Sequence, residues 1–402
     1  MAALADANVD AVGAAAKTRG MWYWRLPNTP NGLQPSQCWH SIGSSPSGAI
    51  YVGGMDHSTN SALYRIYRGQ VELLGDAKSA AQNANDWQPG ETAQKFHTRP
   101  LWHNGNVYVA TLDQSSLDDQ YLYHRGFHWY RFNEELSQFT DLGVGAEHGG
   151  LVTLVADPSK NTLYGASIPT SDLYMLDLGS NRTKHIGRPS SFERKYVYTN
   201  RFMWSNPHNG GALYITAGNP DYDNQNGPLP QEVYGHVHGF NPDTGLFFEN
   251  RNWKLVNGRA LELGQCVATR NVAYFVDDLC GIYRYTYQPE SFEFIGKPHL
   301  HEQHHTVWSF NVADDGKTAY IITTCGRNRG SLFEVDLETA KASLISRLAD
   351  LDPVYDTAGT HTGSDSWDLD GNFYFSSFAT DSAHVQNVLI TRLNPKQLKA
   401  AL

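Results

Sequence analysis

Seven short segments with a tyrosine near the centre recur along this chain: GAIYVGG (48–54), GNVYVAT (105–111), NTLYGAS (161–167), GALYITA (211–217), NVAYFVD (271–277), KTAYIIT (317–323) and GNFYFSS (371–377). Self-similarity at a period of about 50 residues is the signature of a radial or linear repeat, and it limits the fold more than any other feature. After each segment comes a further strand: ALYRIYR, FHWYRFN, DLYMLDL, HVHGFNP, GIYRYTY, SLFEVDL and VLITRLN. Outer strands then follow as VELLG, FTDLG, TKHIG, LFFEN, FEFIG and ASLIS, so six serve seven units. MWYWRL (21–26) supplies the seventh from the other end of the chain. The pattern predicts an all-β, seven-bladed propeller of four-stranded antiparallel blades, with the ring closed by an N-terminal strand. A β-sandwich would explain neither the seven Tyr-centred units nor the leading strand. The expected organisation is a tail over 1–19 and one propeller domain over 20–402.

Composition agrees with strands and turns: 12% aromatic residues, 36 Gly, 22 Tyr and 10 Trp, against 18% charged residues. The formal net charge is −10, without a basic stripe, which argues against a nucleic-acid partner. No segment approaches the roughly 20 apolar residues of a membrane helix. The N-terminus lacks the basic region and apolar core of a signal peptide. Cys38, Cys266, Cys280 and Cys325 show no C-x-x-C spacing, against a zinc ribbon. Cys38 and Cys266 read as buried thiols. Cys280 and Cys325 each end a strand before glycine and could bridge neighbouring repeats.

The longest additions, such as LDQSSLDDQYLYHRG and GNPDYDNQNGPLPQEVYG, all separate second from third strands. They should gather on one face, where function is expected. Inner strands begin near His40, His97, His148, Arg201, Gln265, His304 with His305, and His361, which brings polar groups into the central channel. Ordered water could satisfy them. Five blades with histidine at one level also suit a metal or an anion, and His305, His361 and Gln265 are candidate ligands for one divalent cation, calcium or manganese, in a structural role. Nothing calls for a redox cofactor.

His128 opens a third strand and His148 the next inner strand, so both should reach the channel mouth. Two imidazoles there could move a proton and donate to an anion. Tyr196, Tyr198 and Arg201 follow on the next blade, where Tyr can act as acid or base and Arg can clamp a carboxylate. His97, His124, Tyr196, Trp129 and Arg327 are candidate substrate-binding residues.

The spacing of His128 and His148, followed by Tyr198 and Arg201, resembles that of the seven-bladed propeller polysaccharide lyases. These include ulvan lyases and lyases that remove a rhamnose cap from glucuronate in arabinogalactan. The compact length and the QCWHSIG opening look closer to the second group. The resemblance implies β-elimination at an α-L-rhamnosyl-(1,4)-D-glucuronate link, giving a 4,5-unsaturated glucuronate, with His128, His148, Tyr198 and Arg201 as catalytic residues. It also implies a monomer that acts on uronic-acid-containing glycans in a secreted or periplasmic setting. Two other readings stay open. One is an α-L-rhamnosidase-type hydrolase on the same linkage, working through His40 from the opposite face. The other is a non-catalytic glycan-binding propeller with platforms such as Trp129 and Trp308.

Overall fold

Every Tyr-centred segment is the second strand of an antiparallel four-strand set: Ile50–Met55, Asn106–Ala110, Thr162–Ile168, Ala212–Ala217, Val272–Asp277, Thr318–Thr324 and Phe373–Phe378. The structure, a computed structural model, describes residues 11–15, 18–56, 58–112, 125–147, 149–157, 159–168, 172–189, 203–208, 211–217, 235–258, 260–300, 306–324, 330–379 and 388–402. The chain is an all-β propeller of four-stranded antiparallel blades. Sheet A runs from the inner strand Ile42–Ser44 to the outer strand Gln70–Asp76, sheet B from Leu101–His103 to Gln138–Ala146, and sheet C from Gly150–Asp157 to Arg182–Gly187. Sheet D runs from Met203–Asn206 to Leu246–Lys254 and sheet E from Leu261–Val267 to Ser291–Gly296. Sheet F has nine strands, because the inner strands Thr306–Val312 and Thr360–Ser364 pair in parallel at Ser309 with Gly363 and Phe310 with Ser364.

The N-terminal strand Met21–Arg25 pairs antiparallel with Leu389–Leu393, Met21 opposite Leu393 and Arg25 opposite Leu389. The first and last parts of the chain therefore share one set of strands, as MWYWRL led us to expect. The residues before it are not simply a tail. Ala11–Val12 pairs with Gln70 and Val71 on the rim of sheet A, and Ala14–Ala15 pairs with Trp22 and Tyr23.

The repeated tyrosines are structural. All seven are buried, and several hydroxyls donate to acceptors in the turn of the following blade. Tyr51 donates to Glu134, Tyr214 to Glu290 and Tyr274 to the carbonyl of Gly316 at 3.0 Å. Each such bond satisfies a buried hydroxyl while tying one sheet to the next. Fourth strands such as Arg182–Gly187 are half or fully exposed, whereas Ile50–Met55 is buried throughout.

Among the described residues, three short α-helices were not legible as repeats. Ala77–Asn83 follows the outer strand of sheet A, capped by the Asp76 carboxylate, which accepts from Ser79 N. Its Ala77, Ala80 and Ala81 are buried, the i, i+3, i+4 spacing of one helix face. This helix delivers Asp86 and Glu91 to the face of sheet B.

Candidate functional site

His128 is the second residue of Phe127–Asn133 in sheet B and is 2% exposed. Register shifts on both sides of it, against the outer strand, mark the kind of bulge that re-aims a side chain. Its Nδ1 lies 2.9 Å from Asp141 Oδ2 and its Nε2 2.8 Å from Glu91 Oε1. Arg125 binds the carbonyl and carboxylate of Asp86 and reaches Glu91 at 3.5 Å. Burial alone would lower the His128 pKa, but the bonds to Asp141 and Glu91 outweigh it and lift the group to about 9. His128 is thus an imidazolium whose two N–H groups are both committed to carboxylates. It has no lone pair for a substrate proton and no donor left for an anion, which disfavours the acid–base role expected for it.

Asp86, His128 and Asp141 also offer ligand atoms within 4.8 Å of one another, a grouping that could hold a metal ion. In the present arrangement the imidazolium and the Arg125 guanidinium already oppose the three carboxylates Asp86, Glu91 and Asp141. A metal would have to replace the proton on His128.

Of the channel ligands expected from sequence, Gln265 and His361 are both engaged with neighbouring strands, and His305 lies outside the described residues. Gln265 lies deep in Leu261–Val267, where its Oε1 accepts from Val312 N at 2.7 Å and its Nε2 donates to Val312 O at 2.8 Å. Both ends of the amide thus tie sheet E to the next inner strand. His361 is 1% exposed, with Nδ1 2.8 Å from Ser377 Oγ on the neighbouring strand. A Cβ on Gly330, whose φ is +73°, would come within 2.9 Å of His361 Nε2, so the ring packs between strands. Trp129 is likewise core. It is 1% exposed, sits edge-on to Phe127 and donates from Nε1 to Thr183 Oγ1 at 3.0 Å, so it is no sugar platform. His124, His148, Tyr196, Tyr198, Arg201, His304, His305 and Arg327 lie outside the described residues, as does Cys325. Cys280 is buried and its thiol is pushed up to about 12, chiefly by burial.

A cavity of about 250 Å³ occupies the centre, walled by His40, His97, Arg99, Trp204, Glu262 and Asp365 among others. The His40 and His97 rings are 5.5 Å apart at 42°. His40 holds a left-handed φ of 58°, and its backbone N–H donates to Thr362 Oγ1 at 3.3 Å. That conformation costs a non-glycine residue about 1–3 kcal/mol and is kept only where the surroundings fix it. Phe96 bridges to Thr111, whose N–H donates to His128 O at 3.1 Å. His97 and His128 therefore share one end of sheet B. His40 stands beside His97 at that same end.

Across the cavity, one Arg99 Nη donates to both the carboxylate and the carbonyl of Asp365, at 2.6 Å each. Both side chains remain about a third exposed. Cys266, expected to be buried, opens onto the lumen. Hemmed in by protein, its thiol is pushed up to about 11, chiefly by burial, which leaves it protonated and unreactive at neutral pH. Arg99 was not singled out from sequence; it lies two residues after His97, across a bend at Thr98, and both line the cavity. Glu91, Asp141 and Asp365 carry no local signal, because distant strands and loops bring them in.

No protein-family model matches this chain, and no curated protein sequence matches it. Similarity to solved structures is widespread, with 1445 matching chains. One belongs to the crystal structure of a mitotic checkpoint complex, at 12% identity and a TM-score of 0.55, covering 92% of this chain and 96% of that one. At this identity the likeness shows a shared propeller fold and nothing of activity.

Proposed function

We propose that the protein is a carbon–oxygen lyase acting on a uronic-acid-containing glycan, and that its substrate is the α-L-rhamnosyl-(1,4)-D-glucuronate linkage. The observation that carries this reading is the His40–His97 pair, 5.5 Å apart on a cavity that also receives the Arg99 guanidinium. Removing the proton at C5 of a glucuronate places carbanion-like charge beside a carboxylate, so a cation must meet that carboxylate. Arg99 supplies it. A neutral imidazole of the pair takes the C5 proton, the C5 electron pair forms the C4=C5 double bond as the C4–O4 bond breaks, and the second imidazole protonates O4. The resemblance carried by His128 and His148 is kept at the level of reaction class, with His128 as a fixed charge beneath the rim.

The same reading includes a seven-bladed ring. Sheet F divides at its short parallel contact into a four-stranded antiparallel set and a second one completed by Met21–Arg25, on whose rim Ala14–Ala15 adds a fifth, two-residue strand. Counting each of these sets as a blade beside sheets A to E supports a reading of seven blades, one per Tyr-centred repeat.

Hydrolysis is the second reading, favoured by the presence of Glu262 and Asp365 on the same cavity, since glycosidases work with paired carboxyl groups. Incubation with rhamnosyl-glucuronate oligosaccharides released from gum arabic separates the two. Ultraviolet absorbance of a conjugated uronate, with product masses lower than those of hydrolysis by one water, supports the lyase. Free rhamnose without that absorbance overturns it in favour of the hydrolase. Retained glycan with neither product leaves a binding module.

A further inference from the structure

Two indoles stand beside the histidine pair and take no part in the chemistry above. Trp39 immediately precedes His40, and Trp308 lies in the inner strand Thr306–Val312. Their rings meet at 5.1 Å and 65°, Phe378 braces Trp39 at 5.1 Å and 70°, and the His40 ring meets Trp308 at 6.0 Å and 80°. Trp39 Nε1 is anchored on Gln37 Oε1 at 2.6 Å. Both indoles are half-buried, whereas Trp24, Trp129 and Trp204 are enclosed in the core. Leaving large aromatic surface wet is unfavourable by about 25 cal/mol per Å², and such a patch beside a polar cavity is the usual make-up of a ligand site.

We infer that Trp39 and Trp308 form a stacking platform for a neutral 6-deoxyhexosyl unit, the sugar that leaves with O4, while the uronate extends past His40 toward Arg99. The orientation rests on the lyase reading; the binding of the deoxy sugar does not. The argument is one of sorting by polarity. The lumen presents a guanidinium, two carboxylates and two imidazoles, which suit a charged uronate. The flank presents indole and phenyl surface, which suits the C–H face and methyl group of a deoxy sugar. His40 contacts Trp308 on one side and His97 on the other, so two sugars joined by one glycosidic oxygen can occupy both regions.

The probe is methyl α-L-rhamnopyranoside, which carries no uronate and cannot report on elimination. Binding is followed by indole fluorescence and by saturation-transfer NMR on the full chain. Wild type should bind, Trp308→Ala and Trp39→Ala should each bind about tenfold more weakly, a loss of about 1.4 kcal/mol of aromatic contact, and Trp308→Phe should recover most of it. On rhamnosyl-glucuronate oligosaccharides the alanine variants should raise KM more than they lower kcat. Circular dichroism checks folding, and Trp39→Ala, outside any strand, stands in if Trp308→Ala does not fold. Failure of wild type to bind the rhamnoside, or unchanged binding in both alanine variants, overturns the platform. Rhamnoside binding that is lost in the variants, with no unsaturated product formed, keeps the platform and removes the lyase reading. Unsaturated product with unchanged KM in the variants does the reverse.

Discussion

Replacing His128 by Gln removes a buried cation from between two carboxylates, and the cost should depend on pH in a defined direction. The folded-state pKa of about 9 stands above the ordinary 6.5, and a difference of that size corresponds to ~3 kcal/mol of preferential stabilisation of the protonated folded protein. The His128 side chain is 3% exposed, with Glu91 at 4% and Asp141 at 0%, so solvent screening removes little of it. Because the pKa is raised, the stabilisation is complete below 6.5 and is lost as pH rises through about 9. Glu91 acts in the other direction. Its burial raises the pKa, but hydrogen bonds led by that from His128 leave it lowered overall, so its contribution is lost as pH falls through the acid range. Urea unfolding of wild type and His128→Gln at about pH 6 and about pH 9.5 should show a gap of ~3 kcal/mol at the lower pH that shrinks markedly at the higher. A gap equal at both values, or none at either, would refute the imidazolium assignment. A gap that grows with pH would indicate a neutral His128, as expected for a metal ligand or a catalytic base.

His40→Ala and His97→Ala should each lower turnover on rhamnosyl-glucuronate oligosaccharides by about a hundredfold, and the double variant should fall well short of the product, because both serve one transition state; steady-state kinetics with a folding control decides. Gln265→Ala should destabilise by about 1–3 kcal/mol, since Val312 loses partners for both its N–H and its C=O; dialysis against a chelator should not reproduce this effect. Deleting residues 1–12 removes, among the described residues, the two-residue pairing with Gln70 and Val71 and should change unfolding little. Deleting 1–27 should strip the partner of Leu389–Leu393 and cause a large loss of cooperativity on heating, and equal melting of the two truncations would count against closure by Met21–Arg25.

The sequence by itself determined the strand repeat, because a short apolar run with one tyrosine near its centre, bounded by turn residues, is a local pattern that recurs seven times. It also determined which terminal segment supplies the missing strand, since MWYWRL reads as an outer strand without a unit of its own. The Ala77–Asn83 helix was hidden because it is only about two turns of chain held by its Asp76 cap and its packing on sheet A, with no repeat to announce it. The direction of each side chain was decided only by tertiary structure. His361 and His97 sit at comparable places near inner-strand starts, yet one packs on Ser377 and the other lines the cavity. His128 looked like a free imidazole at a strand end until Glu91, from the loop after the Ala77–Asn83 helix, and outer-strand Asp141 met its two nitrogens. Contacts between residues 13, 37 or 266 positions apart, as in His128–Asp141, His128–Glu91 and Arg99–Asp365, have no trace in local spacing. They arise when blades pack face to face and a bulge turns one strand, and it is these contacts that set charge and proton affinity at the site.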